Sequence, residues 1–130
     1  MAALRTKPGM QMQIERTAPP LAPAEPAIDR GHLARMTNGE CDLEREVLQL
    51  FATQTRLLLG RMQGADSAAI GALAHTLSGS ARGIGAWHVA EAATALEADA
   101  AAGGETTAAV ARLTAAVREA QVEIADLVRG

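Results

Sequence analysis

The side chains best suited to nucleophilic attack or metal binding are His32, Cys41, His75 and His88. No two of them stand four residues apart, and their order matches no structural zinc pattern. The spacing therefore gives no metal site. His75 is set apart by its neighbours, in the stretch AHTLSGSARGIGA over residues 74–86. At about 100° per helical residue, Ile70, Leu73, Leu77, Ala81 and Ile84 fall roughly opposite His75. Gly71, Ala72, Ser78, Gly79, Arg82 and Gly83 share its side. The apolar stripe must face a core, so His75 is expected to point outward among small side chains with one cation nearby. A glycine inside a helix costs roughly 1 kcal/mol relative to alanine. What Gly79 offers in return is open space one turn beyond the imidazole, where another protein could approach. The plainer alternative is an ordinary surface histidine, with Gly83 and Gly85 as helix C-caps.

An exposed imidazole can do a definite kind of chemistry. A free imidazole ionises near about 6.5, so much of it is neutral at pH 7, with a nitrogen lone pair able to attack a phosphoryl group. Phosphoryl transfer is mostly positioning and charge neutralisation. Arg82, two turns from His75, could supply positive charge or pair with acidic residues of a partner; the alternative is a solvated arginine. Ser78 could donate a hydrogen bond but brings no charge. The chain has no Gly-rich phosphate loop ending in Lys-Ser/Thr and no nucleotide fingerprint. With 130 residues it has no room for a kinase ATP-binding domain beside a helical bundle. The phosphoryl group would then come from one protein and leave to another. A serine–histidine hydrolase needs an acid to orient the histidine, and the helical turns flanking His75 carry none.

The same stretch resembles the signature of histidine-containing phosphotransfer (Hpt) domains: a His, a Leu two residues on, a Lys-Gly pair, small residues, then a second Gly followed by a small residue. Here these are His75, Leu77, Ser78-Gly79, Ser80-Ala81 and Gly85-Ala86. The later Leu-Glu pair of the family is matched by Leu96-Glu97. One departure stands out: the usual lysine is Ser78. The resemblance implies a cytoplasmic relay protein that takes a phosphoryl group on His75 from a receiver-domain aspartate and passes it to a second receiver domain, reversibly. It implies no cofactor of its own, Mg²⁺ on the receiver, and a response regulator or a hybrid histidine kinase as partner. The loss of the lysine also keeps open a binding-only bundle that docks a receiver or kinase without being phosphorylated. A third reading is a dimerisation fragment of a histidine kinase. That class usually has an acid directly after its histidine, where Thr76 stands here, and it would form a two-fold dimer; a monomer is expected instead.

The elements that must hold these residues are all helical. Composition is 48% apolar with net charge −3, and Phe51 and Trp87 are the only aromatics of their kind, with no tyrosine. The core must be aliphatic. Lys7 is the only lysine and no basic patch suggests nucleic acid. No apolar run reaches the roughly 18 residues of a membrane span, no signal-peptide segment opens the chain, and the single Cys41 reads as a reduced thiol. All five prolines lie within residues 1–26, which predicts a flexible N-terminal tail ahead of a single domain over 27–130. A short helix is predicted over 28–38, capped by Asp29, with Ile28, Leu33 and Met36 packed inward. Longer helices follow over 42–63, from Asp66 or Ser67 to about Gly83, over 86–102, and from Thr106 or Thr107 to about Arg129. The second helix carries Val47, Leu50/Phe51, Gln54, Leu57/Leu58 and Arg61/Met62 at helical spacing; the last carries Val110, Leu113, Val117, Ala120, Ile124 and Leu127/Val128. Nothing alternates with period two. Short loops between four long helices give an all-α, up-down antiparallel four-helix bundle with a short additional N-terminal helix as a lid. Trp87 is expected in the core, Glu97 between helices or at the surface, and His32 and His88 as structural or surface residues.

Overall fold

The computed structural model describes residues 25–130; the proline-rich segment, apart from Glu25 and Pro26, lies outside them. The described residues form five helices and no strand: α1 (Arg30–Thr37), α2 (Cys41–Met62), α3 (Ser67–Ile84), α4 (Trp87–Ala101) and α5 (Thr107–Arg129). Local chemistry sets their ends. Asp29 caps α1 by accepting from the His32 N–H, and Asn38 and Gly39 turn the chain out of it with φ of 54° and 74°. Asp66 caps α3 by accepting from the Ala69 N–H at 2.9 Å. Gly85, at φ 84°, is the C-cap of α3, whereas Gly83 belongs to the helix and caps nothing. The side chains of Thr106 and Thr107 do not cap α5. The carboxylate of Glu105 takes the Thr107 hydroxyl at 2.6 Å and its N–H at 3.0 Å. Those two donors hold the Glu105 carboxyl below its usual range.

Packing turns these helices into one core. α2 packs on α3 and α5, and α4 packs on α3 and α5, so the four long helices close a ring; α1 rests on α2 and α3. The centre is filled by Leu77, Val89, Leu96, Leu113 and Val117, with Ala74, Ala81, Ala93 and Ala120 fully buried where the helices come together. Burying a leucine-sized side chain contributes roughly 1.5–3 kcal/mol, so this largely aliphatic cluster, with Phe51 as its one buried aromatic, is a sufficient core. α3 and α4 meet through small residues: a Cβ built on Gly71 would stand 3.4 Å from the Ala100 Cβ. The pairs Gly71/Ala100, His75/Glu97 and Ser78/Thr94 run in opposite numerical order along the two helices, so α3 and α4 are antiparallel.

Two expectations about the core are corrected. The buried line of α2 is Leu48, Phe51, Thr55, Leu58 and Met62, one step round from the line through Val47, Gln54 and Leu57. Leu50 and Leu57 are consequently 70% and 57% exposed. Thr55 takes a core position because its hydroxyl donates to the Ala52 carbonyl and accepts from Gln121 of α5, so no polar group is left unpaired. Met36 is exposed; Ile28 and Leu33 alone of the three pack inward. No described helix is long and apolar enough to cross a membrane.

Candidate functional site

His75 projects from the middle of α3 with 76% of its side chain exposed. Its partner comes from the antiparallel neighbour. Nδ1 lies 3.0 Å from Oε2 of Glu97 on α4. A carboxylate only accepts, so Nδ1 carries the proton of this bond, and in the neutral ring Nε2 is the nitrogen with the free lone pair. The orienting acid that the turns of α3 lack is therefore supplied across the helix interface. What a serine–histidine hydrolase would further need is a hydroxyl bonded to the imidazole, and among the described residues the one hydrogen-bond partner of the His75 ring is Glu97; the Ser78 and Thr94 hydroxyls pair with each other and with Arg82.

The small residues around His75 divide into two kinds. Gly79 and Gly83 have nothing within 4 Å of the position a Cβ would take. The space one turn after the imidazole is open. Gly71 is instead a close-packing residue against Ala100, and Ser78 is buried, 2% exposed, rather than displayed beside His75. The reason is the proximity of α4, whose alanine-rich face lets it cover that flank of α3. The Ser78 hydroxyl lies 3.1 Å from that of Thr94 and accepts from Nη1 of Arg82 at 2.7 Å; Nη2 of Arg82 donates to Thr94 at 3.0 Å. Arg82 thus reaches back one turn toward His75. Glu97 and Thr94, the two α4 contributors, lie three residues apart on one face.

α1 closes the far end of α3. The Asp29 N–H donates to the Gly85 carbonyl at 2.9 Å, and Nε2 of His32 donates to the Gly83 carbonyl at 3.1 Å, so two of the helix's last carbonyls are satisfied by the lid. Trp87 is not a core residue. It is 40% exposed, donates its indole N–H to Oδ2 of Asp29 at 2.9 Å, and stands edge-on to His32 with ring centroids 5.0 Å apart. That indole bond, together with the His32 backbone N–H, holds the Asp29 carboxyl below its usual range. His88 is partly exposed, 3.0 Å from Glu25 and 3.9 Å from Glu119. No group of three or more His, Cys, Asp or Glu side chains among the described residues is placed to hold a metal ion.

The family model of the Hpt domain matches residues 46–126, more than half of the chain. The chain belongs to the Hpt domain family. Comparison with curated proteins and with solved structures gave no match. The matched span holds α3, α4 and most of α2 and α5, and so every residue of the His75 site. Hpt domains are phosphocarriers of two-component signalling and interact there with receiver domains and kinases.

Of the site residues expected from sequence, His75, Gly79 and Arg82 lie on the exposed side of α3, and Ser78 lies beneath Arg82. Glu97 was legible as half of the Leu-Glu pair but not as the partner of His75. Thr94 gave no signal, since nothing in the sequence fixes the register of α4 against α3.

Proposed function

We propose that His75 is the phosphoacceptor of this protein, and that it relays a phosphoryl group from the aspartate of one receiver domain to that of another. The observation that carries the reading is the exposed imidazole whose Nδ1 is held by Glu97, with open space over Gly79. In the forward step Nε2 attacks the phosphorus of the aspartyl phosphate. The Nε2–P bond forms as the P–O bond breaks, and the leaving electron pair returns to the aspartate carboxylate. No proton is lost: Nδ1–H stays on the ring, and the Glu97 carboxylate stabilises the positive charge the ring acquires. The reverse step uses the same atoms. Mg²⁺ belongs to the receiver domain, not to this chain. Gly79 gives the receiver access, and Ser78 and Arg82 complete the phosphate environment. The frame is an up-down antiparallel arrangement of α2–α5, supported by the α3–α4 pairing and the short connections, carried by a monomeric domain over residues 27–130. The place of action is the cytoplasm. Transfer from a phosphorylated receiver domain tests the proposal: it should label the protein and fail with His75→Gln, and equal labelling of that variant would overturn it.

A further inference from the structure

Charge is distributed unevenly around His75. α3 and α4 together carry a single Lys or Arg, Arg82. Glu97, the other ionised group bonded at the site, is an acid. A phosphoryl group on Nε2 would bring about two further negative charges close to that carboxylate. On Cα spacing alone, Arg82 is too far to help: seven residues are about 10.5 Å along a helix. Its guanidinium, however, does not sit at the level of residue 82. It is drawn back onto Ser78 and Thr94, one turn from His75 on α3 and one turn from Glu97 on α4. The three hydrogen bonds form a closed triangle, Arg82 to Ser78, Arg82 to Thr94, and Ser78 to Thr94. Ser78 is buried beneath the guanidinium. A long side chain at position 78 would occupy the seat.

On the reading that His75 is the phosphoacceptor, we propose that Ser78 and Thr94 are positioning residues that seat Arg82 as the cation for the phosphoryl group, so that charge the signature places at position 78 is delivered here from position 82. The small hydroxyl at 78 is then a requirement of the design. It leaves room for the arginine and accepts one of its N–H groups. The guanidinium retains further N–H donors, since only one bond from each of Nη1 and Nη2 is used. These can turn to phosphoryl oxygens while the hydroxyls hold the group in place. Arginine suits this arrangement better than lysine, because its planar fork can bond two anchors and an oxyanion at once.

The test uses the full chain and phosphoramidate as donor. Nε2 of the histidine displaces ammonia from phosphorus, so no receiver domain is needed. The ³¹P resonance of the phosphohistidine is followed against pH. A neighbouring cation favours the dianion and lowers the phosphoryl pKa. Arg82→Gln, which removes the charge but leaves a polar side chain, should raise that pKa by roughly 0.5–1 unit. Arg82→Lys should restore part of the difference. Ser78→Ala and Thr94→Ala should each move the titration partway toward that of Arg82→Gln. Ser78→Lys combined with Arg82→Ala should return it to the wild-type position by supplying the charge from the signature's own place. A clamp between helices would alter melting but not this titration. If label resides on His75 and Arg82→Gln leaves the titration unmoved, the inference is wrong and the phosphoacceptor reading survives. If wild-type label is absent from His75, the phosphoacceptor reading fails and takes the inference with it.

Discussion

At the scale of the residue, His75 and Leu77 are two apart on one helix and do opposite things. His75 is exposed, so His75→Gln should change unfolding free energy by about 0.5 kcal/mol or less. Phosphoryl transfer should vanish, because an amide has no nucleophilic ring nitrogen. Leu77 is fully buried, and Leu77→Ala should cost about 2–5 kcal/mol while the folded fraction still accepts phosphate. Chemical denaturation beside a transfer assay separates the two effects; unfolding of the His75→Gln variant would contradict the geometry. On the proposed reading, Glu97 acts through His75, whose Nδ1 it holds, rather than on the phosphoryl group. Glu97→Gln keeps an acceptor for Nδ1–H but removes the charge that offsets the developing positive ring. The loss of one charge-assisted bond, about 1.5 kcal/mol, predicts roughly tenfold slower transfer with little change in melting. Transfer at the wild-type rate would leave Glu97 as a surface contact only.

At the scale of the element, α3 is the helix that must be both packed and approachable. Gly79 meets nothing where a Cβ would stand, so Gly79→Leu should raise helix propensity by up to about 1 kcal/mol and leave melting equal or higher. Receiver binding, measured by calorimetry, should weaken because the new side chain covers the approach to His75. Unchanged affinity and transfer would show that this opening is not used. The far end of α3 gives a pH prediction. Asp29 is held ionised below its usual range first by the Trp87 indole, then by the His32 N–H. A lowered folded pKa contributes stability above the ordinary aspartate range and loses it as pH falls through the folded pKa. Trp87→Phe should therefore destabilise at neutral pH, with the gap from wild type shrinking as acid protonates Asp29; a pH-independent gap would mean only packing was lost. These elements differ in how far the sequence revealed them. Helix starts were legible where a side chain fixes them, as at Asp29 and Asp66. The register between helices was not. Leu50 and Leu57 carry the apolar signal of a core position, yet Thr55, paired with Ala52 and Gln121, occupies it. Ser78 looked displayed on a single-helix wheel and is buried because α4 covers it. Glu97 and Thr94 became site residues only once α4 was set against α3.

At the scale of the whole molecule, the segment before α1 is fastened where it meets the bundle. Glu123 of α5 accepts from the Ala27 N–H at 2.9 Å and the Ile28 N–H at 3.3 Å, and the Ile28 side chain is fully buried. Deleting residues 1–24 should leave the melting temperature nearly unchanged. Deleting through Ile28 should lower it by roughly 8–24 °C, since losing a buried isoleucine costs roughly 2–3 kcal/mol and each kcal/mol moves a domain of this size by about 4–8 °C. A large loss from the shorter deletion would place the domain boundary further upstream. The central claim concerns which atom carries the phosphoryl group. The most direct measurement is to transfer phosphate from a phosphorylated receiver domain to the full chain and locate it by ³¹P–¹H correlation and peptide mapping under alkaline conditions, which preserve phosphohistidine. The account predicts one phosphoryl group on Nε2 of His75, leaving Nδ1–H to Glu97. Phosphate on Nδ1, on His32 or on His88, or a receiver that binds without transferring, would contradict it.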